Sequence, residues 1–567
     1  MKKTVLLVSL IISLMYLETN AQNYYGSQFV GDSGVNSPQR ITKLNDGGYA
    51  ISTLLGGSLT GDFPITHKGG NADGALIKLS QTGAIEWIKQ FGGGLDEVLI
   101  DTAQDSDGNY YLTGYFMGAG SNALDADPSD AVVSLSVTST FANRDVFLIK
   151  LDAAGDFVWA KQMSSPSGGP HDDVSTIKID ANGNIYLAGS YVYLDFDPGA
   201  AEEIHIATGS SDSFIVKLDN DGNFIWVKTL DGTSNKKIMN MDLDENGNIY
   251  VVGRFQGTID LDPDDATTDI RTTAGSYDTF VAKYDVDGNY IWGLNYGSTG
   301  SDTPEKILVN GTDLYVGGGF NATVDLDPSS TGTNSFTSAG GQEAYISKFT
   351  TEGTYVNSFV IPGTTSNLDT IKDIVITDDG SLVLAGLFQN ITLDGNNYAA
   401  SATNADAYYL KLDSSLNFSS IYLIQGVQAQ SNPFVQTLDA TKFIGIGSSR
   451  GVAAFDYTNP STTEGNATPQ SFVYITKFDF EATLNAATFN AINDLLVYPN
   501  PVQSTLNINS KNKIVALDIY NLQGRKVFSQ VNTQIVNADV TILPSGTYIL
   551  QVKDENGTIA TQKLIKL

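Results

Sequence analysis

The chain of 567 residues contains no cysteine. That one absence excludes a disulfide framework, a zinc–thiolate centre, a cysteine nucleophile and a lipidated-cysteine anchor. Histidine is nearly as scarce: His67, His171 and His205 are the whole supply, and no two stand at the short spacing of a local ligand motif. Positive charge is thin as well, with 32 Lys and Arg against 63 Asp and Glu and a formal net charge of -31. Such a field repels nucleic acid and anionic lipid, and favours solubility, cations and neutral or basic partners. The surplus is uneven: Ile492 to Leu567 carries about +2, which leaves about -33 on the remainder. Apolar runs long enough to span a bilayer are missing too. The run from Val5 to Leu17 follows Lys2 and Lys3 and ends in Thr19-Asn20-Ala21, the pattern of an export signal peptide over 1–21 cleaved before Gln22. No nucleophile elbow, P-loop, Rossmann glycine pattern or HExxH stretch occurs.

What the chain has in abundance is repetition. The stretch DSFIVKLDNDGNFIWVK, Asp212 to Lys228, is rewritten along the chain, and its lysine recurs at Lys78, Lys150, Lys217, Lys283, Lys348, Lys411 and Lys477. The steps are 72, 67, 66, 65, 63 and 66 residues. Phe214, Val216 and Leu218 share one face of a strand, and Asn220-Asp221-Gly222-Asn223 supplies residues that tolerate the positive φ of a hairpin turn. A second hairpin precedes it in each period, as in IDANGNIYLAG from Ile179, with turn glycines at Gly47, Gly108, Gly183, Gly247, Gly311 and Gly380. Two hairpins per period predict four strands, and four-stranded units repeated seven times predict an all-β, seven-bladed β-propeller over 22–490, in which stacking buries both faces of each sheet. The YYGSQFVGDSG segment, within Asn23 to Gly34, resembles the strand after each repeat lysine. It is expected to complete the seventh unit, from Asn432 to Phe480, with Glu481 to Asn490 as the alternative.

Trp87, Trp159, Trp226 and Trp292 each lie nine residues after a repeat lysine. A carbohydrate-stacking set is one reading, but an aromatic at one fixed place in a repeat is better explained by packing between units. The motif Asp-x-Asp-Pro recurs between the hairpins as Asp125 and Asp127, Asp195 and Asp197, Asp260 and Asp262, and Asp325 and Asp327, with Asp394 and Asp456 as remnants. These eight carboxylates are the candidate calcium ligands. Two acids on an extended strand stand roughly 6.6 Å apart, which favours a surface Asp-Pro strand terminator instead. The DxDGN turns lack the downstream bidentate glutamate of an EF-hand and read as hairpins. The acid five residues before six of the seven repeat lysines (Asp73, Asp145, Asp212, Asp278, Glu343, Asp406) repeats too regularly for catalysis, which needs one asymmetric site. The irregular parts are the Met117 to Asn143 insert and the Ser164 to Asp173 loop, where binding on a rigid scaffold is expected.

These repeats, DGNxYLTG followed by DxFIxKLDxxGNFxW, resemble the bacterial β-propeller repeats of the SBBP type, a likeness that carries fold and no function. The tail resembles the type A sorting domain of the type IX secretion system. Val497-Tyr498-Pro499-Asn500-Pro501, Leu506-Asn507-Ile508, Ile519 to Arg525, Leu543 to Tyr548 and Lys563 to Leu567 stand in the family's order. The resemblance implies a small Ig-like β-sandwich over 491–567, recognised by the outer-membrane translocon and removed as the cargo is released or attached to the surface.

The expected protein is therefore extracellular or displayed on the cell surface, without a transmembrane span and without affinity for nucleic acid. Its expected function is binding, with a glycan or protein ligand met through the insert loops. A polysaccharide hydrolase or lyase is the enzymatic alternative, resting on fold analogy alone, and a structural surface protein is the third. No catalytic residue can be singled out, because so acidic a chain offers too many carboxylate pairs for a glycosidase assignment.

Overall fold

The structure is a computed structural model that describes residues 24–480 and 495–567 apart from 32–33, 138–143, 166–171, 265, 330, 364–368, 401–404, 427–428, 456–462, 465–470, 522–525 and 556–558. The signal-peptide stretch 1–21, His171, Asp456, Glu481 to Asn490 and part of each insert loop lie outside the described residues. Two compact units emerge, 1–481 and 482–567.

In the first unit, runs of alternating and doubly apolar residues form strands of mostly seven to nine residues, because β-branched and aromatic side chains suit a pleated surface covered on both faces. They assemble into seven four-stranded antiparallel sheets, here I to VII. Their first strands are Ser37–Lys43, Glu97–Gln104, Asp173–Ile179, Lys236–Leu243, Thr303–Asn310, Thr370–Ile376 and Gln430–Thr437. Sheet III shows the plan: Asp173–Ile179, Ile185–Tyr191, Asp212–Leu218 and Phe224–Leu230 in spatial order. Sheet VII takes its fourth strand from the other end of the chain, since Tyr24–Val30 pairs antiparallel with Ser471–Asp479. Sheet VI continues past its fourth strand, Phe418–Gly426, into the short strands Ala453–Ala454 and Thr463–Glu464.

No sheet curls or closes on itself. The expected seven-bladed β-propeller, and with it the SBBP-type identification of the repeats, is thereby corrected to an all-β series of open, separate four-stranded antiparallel sheets. The physical reason is that the long strands of one repeat do not pair with the long strands of the next. Successive sheets meet chiefly through side chains; the backbone contacts between repeats are short, such as the bridges of Ser211 with Asn235 and Tyr277 with Ser301 and the two-residue pairing of Gln425 and Gly426 with Ala454 and Ala453.

Those side-chain contacts form one apolar core per junction. Tyr186, Ala188 and Ile215 of sheet III, for example, pack with Ile249, Val251, Phe280 and Tyr284 of sheet IV, all buried. Ile41 and Ile51 of sheet I share a core with Phe434, Ile444 and Ile475 of sheet VII. Each fully buried Leu, Ile or Phe is worth about 1.5–3 kcal/mol, so these junctions rather than the individual sheets hold the unit together.

Two repeated features fix the junctions. Lys217 Nζ donates to the Val286 carbonyl in the hairpin turn of the next sheet at 3.1 Å, as Lys150 does to Asn220 at 3.2 Å and Lys283 to Thr351 at 3.1 Å. Each tryptophan lies beneath a turn glycine of the next sheet: a Cβ on Gly222, whose φ is 74°, would stand 3.0 Å from Trp159, and one on Gly353 3.1 Å from Trp292. The tryptophans are therefore packing residues, as a fixed place in a repeat suggests.

In the second unit a three-stranded sheet (Leu496–Tyr498, Thr505–Asn509, Asn537–Asp539) and a four-stranded sheet (Lys526–Val531, Ile514–Tyr520, Gly546–Asp554, Ile559–Lys566) share a core that includes Val502, Leu506, Leu517, Leu550 and Leu564.

Because Tyr24–Val30 covers an edge of sheet VII and Val30 is buried in its junction core with sheet I, deleting Tyr24–Val30 is expected to lower the melting temperature by on the order of 5–10 °C. Differential scanning calorimetry of the truncated chain checks this, and an unchanged melt would show that the strand holds nothing.

Candidate functional site

A β-bulge interrupts every first strand at the same place. The pairing register shifts around Gln39, Ile100, Ser175, Met239, Glu305, Lys372 and Asn432, one extra residue per sheet. A bulge re-aims the side chain it adds. All seven of these residues, together with Arg40, Val174, Lys237 and Phe434, line a single cavity of about 210 Å³. A second cavity of about 290 Å³ shares Arg40 and is lined further along the same strands by Asp101, Thr176, Lys178, Asn240 and Lys306, among others.

Ion pairs between neighbouring sheets line this region. Lys372 Nζ lies 2.5 Å from Glu305 Oε1, Lys306 3.0 Å from Asp373, Lys237 3.2 Å from Asp173, and Lys178 2.9 Å from Asp242. Arg40 Nε is 3.7 Å from Asp101, whose other oxygen accepts from the Thr176 hydroxyl at 3.1 Å and the Ile177 N–H at 3.2 Å. Asp373 accepts from the Val435 N–H at 3.1 Å in the same way. The wall is thus rigid, and its charges are largely spent on each other.

The repeated acids before the lysines sit at the sheet junctions, away from this cavity. Each faces the residue three positions before the bulge of the next sheet, or in sheet VII the residue that starts its first strand. The pairs are Asp73 with Glu97, Asp145 with Asp172, Asp212 with Lys236, Asp278 with Asp302 and Glu343 with Asp369, and Asp406 with Gln430 by position in the repeat; sheet VII has Phe472 in place of the acid, and its Ser471 bonds Asn36. Burial pushes the Glu97 carboxyl up to about 8; the Gly93 N–H works against the rise while Asp73 and Asp96 add to it. Burial likewise drives Asp172 and Asp369 to about 7, and Asp145 and Asp302 to about 6.

The eight Asp-x-Asp-Pro carboxylates are spread over four separate two-stranded ribbons. In each the intervening residue (Ala126, Phe196, Leu261 or Leu326) is buried, pinning the ribbon to its sheet. Asp125 Oδ1 accepts from the Asp127 and Val133 N–H groups at 3.3 and 3.1 Å, and Asp127 Oδ1 from Ser129 at 2.9 Å. Asp195 and Asp197, Asp260 and Asp262, and Asp325 and Asp327 repeat this turn-capping pattern. The DxDGN turns cap themselves likewise: Asp219 Oδ1 accepts from the N–H groups of Asp221 and Asn223 at 2.9 and 2.8 Å. Among the described residues no group of three or more His, Cys, Asp or Glu side chains is arranged to hold a metal ion.

Sequence reasoning missed the bulged residues. A signal existed: Gln39, Ile100, Ser175, Met239 and Lys372 each stand eight residues before a hairpin glycine, Gly47, Gly108, Gly183, Gly247 and Gly380. Registering the repeat on those glycines would have brought out a column whose residue types disagree.

Residues 496–567 match the family model of the secretion system C-terminal sorting domain. The chain is accordingly a secreted or cell-surface protein bearing a type IX sorting domain. Among the described residues no helix is long and apolar enough to cross a membrane. The chain is 31% identical over 190 residues to the regulatory protein FlaEY of Caulobacter vibrioides, a match covering 32% of this chain and 18% of that one. It is 24% identical over 259 residues to an uncharacterised WD repeat-containing protein of Acanthamoeba polyphaga mimivirus, over 42% of this chain and 18% of the other. The chain thus spans about 18% of the length of the curated relatives it matches. A crystal structure of a Bacteroides caccae protein of unknown function aligns with 12% identity and a TM-score of 0.30, over 65% of this chain and 92% of that one.

The junction carboxyls generate a pH dependence. Unfolded, they lose their protons near pH 4, whereas in the folded chain Glu97, Asp172 and Asp369 keep theirs to about 7 or 8. Between those limits the folded state binds more protons, so stability falls as pH rises. In metal-free buffer the melting temperature is expected to decline steadily from about pH 5 to pH 8.5. Glu97→Gln should flatten part of that slope, and a pH-independent melt in both proteins would refute the assignment.

Proposed function

We propose that this is an extracellular binding protein, delivered through the type IX translocon by its carboxy-terminal unit, and that the cavity of bulged residues takes an acceptor-rich group of a glycan. The carrying observation is the contrast between frame and lining. The strands, turns, lysines and junction acids repeat around the unit, but the seven bulge residues do not: amide, aliphatic, hydroxyl, thioether, acid and ammonium each appear. A position that only served packing would ask the same residue type of each sheet, as the repeat lysine does. Donors dominate the lining, with Gln39, Arg40, Ser175, Lys237, Lys372 and Asn432 against the single carboxylate of Glu305. Hydroxyl- and carboxylate-bearing sugars suit such a set.

At about 210 Å³ the cavity is smaller than the roughly 300–1,000 Å³ that encloses a drug-sized molecule, so it admits one sugar ring or chain end. A two-carboxylate glycosidase needs a second acid beside Glu305, and the lining supplies none, which supports binding over hydrolysis.

A glycan array probed with the recombinant chain is the test. Acidic glycans are expected to bind without cleavage, and Lys237→Gln combined with Lys372→Gln should weaken them at least about tenfold, or 1.4 kcal/mol, while the melting temperature changes little. Unchanged affinity in that double variant would move the site elsewhere. Silence across the array would point to a protein ligand.

A further inference from the structure

One sheet junction has a cation built into the chain. Lys236 Nζ lies 2.7 Å from Asp212 Oδ1, both side chains are wholly buried, and the ammonium donates to the Thr233 and Ser234 carbonyls at 3.2 and 3.4 Å. The junction of sheets IV and V repeats this cradle. Asp278 stands where Asp212 does, Thr299 and Gly300 where Thr233 and Ser234 do, and Asp302 replaces the lysine. The backbone frame is the same. Ser210 N–H donates to the Ser234 carbonyl at 2.8 Å and Ser276 N–H to the Gly300 carbonyl at 3.0 Å, and a parallel bridge follows each, Ser211 with Asn235 and Tyr277 with Ser301.

What the fourth junction lacks is the positive charge. Asp278 Oδ1, the counterpart of the oxygen that grips Lys236, is buried without a hydrogen-bond partner, although Oδ2 accepts from Ala274 N–H at 2.8 Å. The first junction is barer still. Asp73 Oδ1 and Glu97 Oε1 are both buried and without a hydrogen-bond donor, and His67 Nε2 stands 3.8 Å from the former. At the second and fifth junctions Asp172 Oδ2 and Asp369 Oδ2 are likewise orphaned. An unsatisfied buried carboxylate oxygen is costly, and a second acid facing it adds repulsion. The seventh junction avoids both costs with a neutral pair: Asn36 N–H donates to Ser471 Oγ at 2.7 Å and Asn36 Nδ2 to the Ser471 carbonyl at 2.6 Å.

The geometry points to a divalent cation, with calcium the chemical fit, at the first and fourth junctions, whose paired acids keep the spacing of Asp212 and Lys236, in the place that the Lys236 ammonium occupies between sheets III and IV. The available ligands are all hard oxygens, carboxylate and main-chain carbonyl, in an irregular cage that calcium accepts and magnesium, which demands a tight octahedron, does not. Two carboxylates match its charge, and water completes a coordination sphere to which protein side chains contribute only two acids. These sites are separate from the Asp-x-Asp-Pro turns, whose Oδ1 atoms cap backbone N–H groups.

Isothermal titration of calcium into the full chain, first stripped with chelator at pH 7.5, tests this. About two ions per chain are expected, with a raised melting temperature and a weaker response to magnesium. Lys236→Asp should add one ion, and Asp302→Lys should remove one while raising the melting temperature in chelator. Absence of calcium binding to the wild-type chain would overturn the proposal and leave the junctions as proton-sharing acid pairs, a result that needs no variant to fold. Binding whose stoichiometry is the same in Lys236→Asp, Asp302→Lys and the wild type would overturn it as well, by placing calcium elsewhere.

Discussion

The structure depends on one reach: a repeat lysine extends from the third strand of its sheet to a carbonyl in the last hairpin turn of the next. Lys150, Lys217, Lys283 and Lys348 make it, and Lys477 of sheet VII makes it to Thr82 of sheet I. An ammonium is a strong donor, and in four of these lysines the stem runs over a tyrosine ring, Lys217 Nζ standing 4.9 Å from the centre of Tyr186. The contact fixes where the neighbouring turn sits. Trp159 then has one place to go, beneath Gly222, where a side chain would collide with it. Rotation of one sheet against the next is thereby restricted, although only short backbone contacts join them. The bulged residues on the far side of each sheet are held in register for the same reason, and without that register seven side chains from seven sheets could not meet in one cavity.

Much of this was legible in the sequence. Hairpins such as Asp219 to Asn223 announce themselves because turn chemistry is local: an aspartate that caps two N–H groups and a glycine at positive φ need no tertiary context. Burial first raises the Asp219 carboxyl, but the backbone and side-chain donors of Asn223 more than offset it and hold it below the ordinary carboxylate range. The repeat length was also plain, and so was the fourth strand that Tyr24–Val30 lends to sheet VII, since edge pairing follows the repeat. The closed seven-bladed propeller was not sustained. Repeat number and strand count state how many sheets form, but whether sheets close is a property of their ladders, which the sequence does not display.

The site was illegible for a different reason. A bulge costs one residue and has no compositional mark, so Ser175 reads as an ordinary strand residue although it faces a cavity with Glu305 and Lys372, 130 and more positions away. The Asp-x-Asp-Pro motif is the opposite case. It is conspicuous and rich in metal-type ligands, yet its carboxylates close turns and its middle residue is the anchor, as Phe196 shows against Phe214 at 5.0 Å between ring centres. Conspicuous spacing reported architecture here, and inconspicuous variation reported the cavity.

That contrast separates the two kinds of position in a repeated fold. Where the sheets agree, as at the repeat lysine and the turn aspartates, the residue answers to a geometric demand shared by most of the junctions. Where they disagree at a structurally equivalent place, the frame has left the choice free. The position three residues before the bulge is the sharpest case: Asn36 makes its junction neutral, Lys236 supplies its own cation, and Glu97 or Asp302 sets a second buried acid beside the first. These solutions do not differ in fold, since the same bulge interrupts the first strand of each of these sheets. They differ in what each junction requires from outside the chain. A protein with a surplus of acids, exported to surroundings where ions and protons vary, thus carries within one architecture both junctions that stand alone and junctions whose stability answers to the medium.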